Sequence, residues 1–289
     1  MKNLIITPYS IQKSDMNIII IVQARMNSTR LPGKVLLPIL GKSILFRQIE
    51  RIKQARYFSK VVVATTKETS DDLIAKLCHN EEIEFFRGDE KDVLDRHYRA
   101  GLEYNADVVV KIPSDCPLID PKIIDKVIKY YQDNREEYDF VSNLHPATYP
   151  DGNDVEVIPM SVLEYTHTRA KKSYEREHTT PFIWDNPDLF RIGNCAWELG
   201  YNFSMSHRWT LDYPEDYHFI SEVYKKLYPS NPAFGLYDIL SLVEDHPEIM
   251  EINNKYVGVN WYRKHLHQLK TVDKSQTRIE YYDGRTAAI

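Results

Sequence analysis

Four short β-rich runs punctuate the first half of the chain: NIIIIV (17–22), KVVVAT (60–65), IEFF (83–86) and DVVVKI (107–112). A strand with one wet face alternates polar and apolar residues. Near-continuous apolar runs predict strands buried on both faces, as in a parallel sheet. Between them the period changes. SILFRQIERIKQA sets Leu45, Ile49 and Ile52 at helical spacing, and SDDLIAKLCHN and KDVLDRHYRAGLEY fill the next two gaps. Ser43 and Ser70 are read as N-caps, and Pro121 as first-turn residue of the helix PKIIDKVIKYY, capped by Asp120. This alternation predicts an α/β fold with an open, doubly wound, mostly parallel sheet.

After Tyr138 the rhythm changes. YDFVSN and DVEVIP read as strands, MSVLEYTHTRAKKSYEREHTTPFIW as two helices, and HRWTLD (207–212) as a return to the sheet before the helix PEDYHFISEVYKKLY. The expected organisation is a loosely ordered leader over 1–15 and one domain over 16–270. That domain carries an insertion at about 160–205 that covers the site or forms a subunit contact, and a polar tail follows over 271–289.

Composition narrows the class. With 289 residues, 43% of them hydrophobic, the chain can bury a sizeable core. A formal net charge of -5 argues against a general nucleic-acid binder, which needs a broad basic field. Three cysteines without a CxxC pair fit a reducing cytoplasm and no structural zinc. The longest apolar run is far short of a membrane span.

In an open parallel sheet, ligands bind beyond the carboxyl ends of the strands. The chemically loaded stretches QARMNSTRLPGK (23–34), RGDEKDVLDR and PSDCPLID follow the first, third and fourth runs, so one sheet edge gathers all three. The first is neither a Walker A loop nor a G-x-G-x-x-G fingerprint. It offers guanidinium forks at Arg25 and Arg30, an ammonium at Lys34, hydroxyls at Ser28 and Thr29, and Gly33 for close backbone approach, a set suited to a triphosphate. Asp115, beyond a proline-marked turn, suits Mg²⁺, which takes hard oxygens shared with substrate phosphates. Asp212 is the candidate second carboxylate, with a turn or cap before Pro214 as the competing role. Arg208, Thr210 and Asp212 alternate and share a face. Asp154 and Glu156 either form a solvated strand face or bind acceptor hydroxyls. Glu177 and His178 close a basic stretch containing Arg169, Lys171, Lys172 and Arg176, itself either a solvated helix face or an anion-reading patch.

Taken in order, QARMNSTRLPGKVL, GDEKDVLDR, PSDCPLID, DVEV, REHTTP and RWTLDYPED resemble the cytidylyltransferases typified by the spore coat polysaccharide synthesis F protein. More distantly they are similar to the synthetases of CMP-activated Kdo and sialic acids. The resemblance runs from about residue 17 to 225. It implies a Rossmann-like nucleotidyltransferase fold, CTP as donor, Mg²⁺, pyrophosphate release and a homodimer paired through the insertion. Gln23, Ala24, Arg25, Ser28, Arg30 and Lys34 then match the triphosphate loop, with Lys34 and Arg25 catalytic beside the metal carboxylates Asp115 and Asp212. Gly88, Asp92 and Arg96 match the loop near cytosine and ribose. Asp154, Glu156, Arg176, Glu177, His178 and Arg208 fall to the acceptor, expected to be an anionic sugar: a 3-deoxy-2-keto sugar acid or a sugar phosphate. A nucleotide-sugar glycosyltransferase and a non-catalytic nucleotide binder are the competing classes. PSDCP lacks the close Asp-x-Asp common in the former, and turnover separates the latter.

Overall fold

The four runs pair as parallel neighbours in a computed structural model of the protein, which describes residues 16–279. The leader 1–15 and the last part of the tail, 280–289, lie outside the described residues. The first half comprises β1 (Ile18–Gln23), the small antiparallel pair β2 (Pro38–Ile39) and β3 (Lys42–Ser43), α1 (Ile44–Ile52), β4 (Lys60–Thr66) and α2 (Asp72–Asn80). It continues through β5 (Glu84–Gly88), α3 (Val93–Glu103), β6 (Val108–Pro113) and α4 (Pro121–Asp133). Then come β7 (Phe140–Ser142), β8 (Glu156–Pro159), α5 (Met160–Arg169), α6 (Ser173–His178), α7 (Pro181–Trp184), β9 (Ile192–Asn194), α8 (Pro214–Leu227), α9 (Leu236–Asp245) and α10 (Pro247–Glu251).

The sheet runs β5-β4-β1-β6-β8-β7-β9, and only β8 opposes the common direction. Its unbroken apolar strands have the expected cause. Ile18, Ile20 and Val22 of β1 pack into a core shared with α1, α4 and α8, while Ile19 and Ile21 pack on the other face with α3, α5 and α7. None of the five is more than 1% exposed. Each contributes about 1.5–3 kcal/mol of burial.

Local signals largely hold. Ser43 accepts the amide of Phe46 as N-cap of α1, and Asp120 accepts Lys122 N at 2.7 Å ahead of Pro121. Ser70 does not cap α2. The helix begins after Asp71, whose carboxylate accepts Met26 N of the β1 loop, and the Ser70 hydroxyl is buried without a partner. Nor is 207–212 a strand, since it forms one isolated bridge, Asp151 with Arg208. The strand returning at this edge is β9, in the inserted region, parallel to β7. The first residues of the tail pack and bond rather than trail, with Val272 in the second core and Thr271 N on Asp185.

The bridge at Asp151 depends on Gly152. At φ +108°, a Cβ there would lie 2.8 Å from the backbone of Trp209 and Thr210. Gly152→Ala is expected to destabilise the fold by about 3 kcal/mol. A urea midpoint unchanged from wild type would show that the two segments slide apart freely.

Candidate active site

The sheet edge expected to hold the chemistry does hold a cavity, of about 450 Å³. Gln23 at the end of β1, Pro113 at the end of β6 and Asp115 after it, and Asn143 after β7 line it. Because β8 runs the opposite way, its first residues arrive at the same edge, and Asp154 and Glu156 line the cavity too.

The loop after β1 folds back on itself. Ala24 N continues the ladder to Ala64 O at 3.0 Å, Met26 N bonds Asp71, and Met26 O receives both Ser28 N and Gly33 N. Gly33 sits at φ +70°, where glycine costs least, and turns the chain into a short 3₁₀ segment that begins with Lys34. Lys34 is 9% exposed. Its ammonium donates to Leu211 O at 2.6 Å and Asp212 at 3.0 Å, and lies 3.6 Å from Asp115. Arg30 pairs with Asp212 at 2.6 Å. Arg25 lies 4.0 Å from Glu177 and reaches Glu90 O at 3.4 Å, while Ser28 Oγ accepts Leu31 N.

These contacts set the charges. Burial works against Asp212, yet Lys34 foremost, then Arg30 and Arg208, hold its carboxyl well below the usual range. Lys34 is likewise raised by Asp212 and Asp115 against its burial. Both stay ionised at any ordinary pH. Asp115 and Asp212 therefore present hard oxygens around a cation that the structure already accommodates, the Lys34 ammonium. No group of three or more His, Cys, Asp or Glu side chains suited to a metal occurs among the described residues. Two carboxylates fit Mg²⁺, which keeps waters and substrate phosphates as its remaining ligands.

The proposed nucleotide stretch sits beside this loop. Gly88 ends β5, and Arg96 packs so closely that a Cβ on Gly88 would meet its Cγ at 3.0 Å. Asp92 caps α3 by accepting Asp95 N. Arg96 is 1% exposed, and its Nε and Nη1 are buried without a partner, as is Gln23 Oε1. Burial, and then the charge of Arg25, lower its guanidinium to about 10. Of the two side chains, Gln23 lines the cavity and Arg96 does not.

The acceptor candidates divide. Asp154, Glu156, Glu177, His178 and Arg208 all line the cavity. Glu156 is already engaged, ion-paired with Lys111 and accepting Thr180 Oγ1 at 2.5 Å. Arg208, 2% exposed, forks onto Asp216 with two 2.9 Å bonds and reaches Asp151 and Asp212. It orients Asp212 from behind. Burial lowers His178 to about 3, so its imidazole is neutral and stacks on Trp261 with centroids 3.7 Å apart. Arg176 is placed elsewhere: it binds Asp92 at 2.5 Å and His167 O at 2.6 Å and is absent from the cavity wall. The basic run therefore does not present Arg176 to an acceptor.

Sequence reading missed Asp151, Trp261 and Tyr262, all on the cavity wall. Asp151 was legible in part, as the acid preceding Gly152 in DGND. Burial, then the charge of Asp115, push Asp154 up to about 7, and Asp151 is also raised by burial. A carboxyl with a raised pKa binds its proton more tightly folded than unfolded. Its contribution is complete below pH of about 4 and is lost as pH rises through about 7. Asp154→Asn is expected to flatten that fall in stability between pH 5 and pH 8, read from urea midpoints. An unchanged slope would assign it to another group.

Residues 19–234 match the family model described as "Cytidylyltransferase". The spore coat polysaccharide biosynthesis protein SpsF of Bacillus subtilis is 29% identical over 80% of this chain and 96% of its own. A 3-deoxy-manno-octulosonate cytidylyltransferase of Geobacter sulfurreducens is 37% identical over 41% of this chain and 47% of its own. The solved structure of a cytidylyltransferase from Leptospira borgpetersenii is similar, with TM-score 0.77 and 32% identity over 81% of this chain and 97% of that one. No helix among the described residues is long and apolar enough to cross a membrane.

Proposed function

The chain belongs to the cytidylyltransferase family, a CTP-dependent class of nucleotidyltransferase, and we propose that it transfers CMP from CTP to an anionic sugar with release of pyrophosphate. The observation that carries this reading is the Lys34 ammonium set between Asp115 and Asp212, with Arg30 on the same loop. An oxygen of the acceptor, a hydroxyl of a sugar acid or a phosphate oxygen of a sugar phosphate, attacks the α-phosphorus in line. The new P–O bond forms as the bond to the α–β bridging oxygen breaks, and that electron pair leaves with pyrophosphate. Where the attacking oxygen is a hydroxyl, its proton passes to Asp154, whose pKa near neutrality suits a base; a phosphate oxygen attacks without a base.

Lys34, Arg25 and Arg30 neutralise charge growing on the leaving group. Asp115 and Asp212 would hold Mg²⁺, which supplies charge stabilisation at the phosphates when bound. Gln23, on the cavity wall, offers its open amide oxygen to the nucleoside, with Arg96 buried behind the loop. The acceptor reading, a 3-deoxy-2-keto sugar acid or a sugar phosphate in surface-polysaccharide synthesis, is supported by the relatives' names. The chain is read as a cytoplasmic homodimer, paired through the exposed apolar side chains Leu189, Leu199 and Tyr201 of the inserted region. Light scattering at micromolar concentration checks this, and a monomer would refute the pairing.

Pyrophosphate release with CTP against UTP tests the donor. The two bases differ at one edge, where N4–H₂ donates and O4 accepts, so a site built for one leaves buried groups unpaired with the other. CTP is expected to exceed UTP by about a hundredfold in kcat/KM. Equal rates would sink the cytidylyl assignment and spare the fold.

A further inference from the structure

The family match stops at residue 234, and SpsF and the Leptospira enzyme align along nearly their whole length with only about four-fifths of this chain. The residues beyond the match do not trail away from the site. From Gly258 to Arg278 they make a closed strap along one side of the cavity. Arg278 N bonds Gly258 O at 2.6 Å at its two ends, and Lys270 N and Thr271 N bond Asp185 at 2.7 and 2.9 Å midway. Leu269 and Val272 anchor it in the second core.

The inner face of this strap has a definite chemistry. Trp261 is partly exposed and lines the cavity, with its indole held flat against His178 at 3.7 Å and 18°. Tyr262 is held by its own strap, donating to Gln276 O at 2.6 Å and accepting Asn260 Nδ2 at 3.0 Å. Burial, then the charges of Asp151 and Asp154, push its phenol up, and both carboxyls line the same cavity as Tyr262. The cavity lining thus combines an aromatic strap that carries the carboxamides of Asn260 and Gln276 with the carboxyls of Asp151 and Asp154. A pyranose matches both, since its C–H face is apolar and its hydroxyls project at the edge toward acceptors. An anionic group on such a sugar turns toward Arg30, which lines the same cavity.

We propose that the strap is the acceptor-selecting wall of this enzyme, with Trp261 the platform for the acceptor's sugar ring and Asn260 and Gln276 reading its hydroxyls. The assignment rests on the nucleotidyl-transfer reading. It places specificity in residues that lie outside the family's shared core.

The test is saturation-transfer NMR on the full chain with saturating CTP and Mg²⁺. The probes are sugar acids and sugar phosphates, with 3-deoxy-manno-octulosonate and glucose 1-phosphate among them. Wild type is expected to transfer saturation to the ring protons of at least one probe. Trp261→Ala is expected to weaken that binding by about fivefold and Trp261→Phe to restore most of it, with CTP affinity within about twofold throughout. No ring signal in wild type, or an undiminished one in Trp261→Ala, would overturn the proposal. If Trp261→Ala does not fold, as judged by its melting curve, Gln276→Ala carries the test with the same two outcomes. Pyrophosphate release is followed in parallel. Its absence with ring signals intact would sink the transfer reading alone and leave the sugar wall standing.

Discussion

Asp115→Asn is expected to lower kcat for CTP-dependent pyrophosphate release by about a thousandfold and to leave the melting temperature nearly unchanged. The side chain is partly exposed, and its contacts with Lys34 at 3.6 Å and the Cys116 thiol at 3.7 Å are long. The strong bonds at this residue belong to its backbone, whose carbonyl accepts Leu211 N and Thr210 Oγ1. An amide keeps the shape and those bonds but removes the charge a divalent cation needs. The separation of effects is the informative part. Full turnover would remove Asp115 from the metal work, whereas a large loss of stability would make it a structural acid after all.

Lys34→Ala is expected to cost both activity and stability. Pyrophosphate charge grows toward the transition state, so kcat should fall by about 10²–10³ and exceed any rise in the KM for CTP. Removal also leaves Asp115 and Asp212 facing each other without the ammonium and leaves Leu211 O without its donor. Breaking a buried pair of this kind costs about 3 kcal/mol. Steady-state kinetics with a denaturation curve on the same preparation separates the two losses. A pure KM effect would demote Lys34 to ground-state binding of the nucleotide.

The parts of this architecture that could be read from the chain are those governed by local rules. β1, β4 and β6 announce themselves because burial on two faces demands unbroken apolar residues, and Pro121 with Asp120 marks α4 because capping is local. β9 gave no such signal. It is three residues long, contains Gly193, and exists because β7 offers an edge and Tyr138 leaves no room for a side chain at Gly193. The segment 207–212 alternates as a strand would, but its polar members turn into the cavity instead of pairing along a ladder. Charge was the least legible feature. Nothing near Arg176 in the sequence shows that it is tied to Asp92, or near Glu156 that Lys111 neutralises it. Trp261 and Tyr262 had no motif around them, and their meaning comes from His178 and Asp151, both distant along the chain.

The bonds between the Asp115 carbonyl and the Thr210–Leu211 segment have a consequence for the history of such chains. The polypeptide leaves the site at Asp115 and returns to the same atom at Leu211, so main-chain bonding sets the spacing of the two acids at the point of departure. What lies between, β7 and β8 with the helices from α4 to α7 and β9, is an excursion whose ends are stapled together. Segments can be added to that excursion, shortened or exchanged without moving one carboxylate against the other. Descendants of this scaffold can therefore remodel the excursion, and with the strap beyond the shared core the acceptor they take, while the spacing of the two acids is inherited untouched.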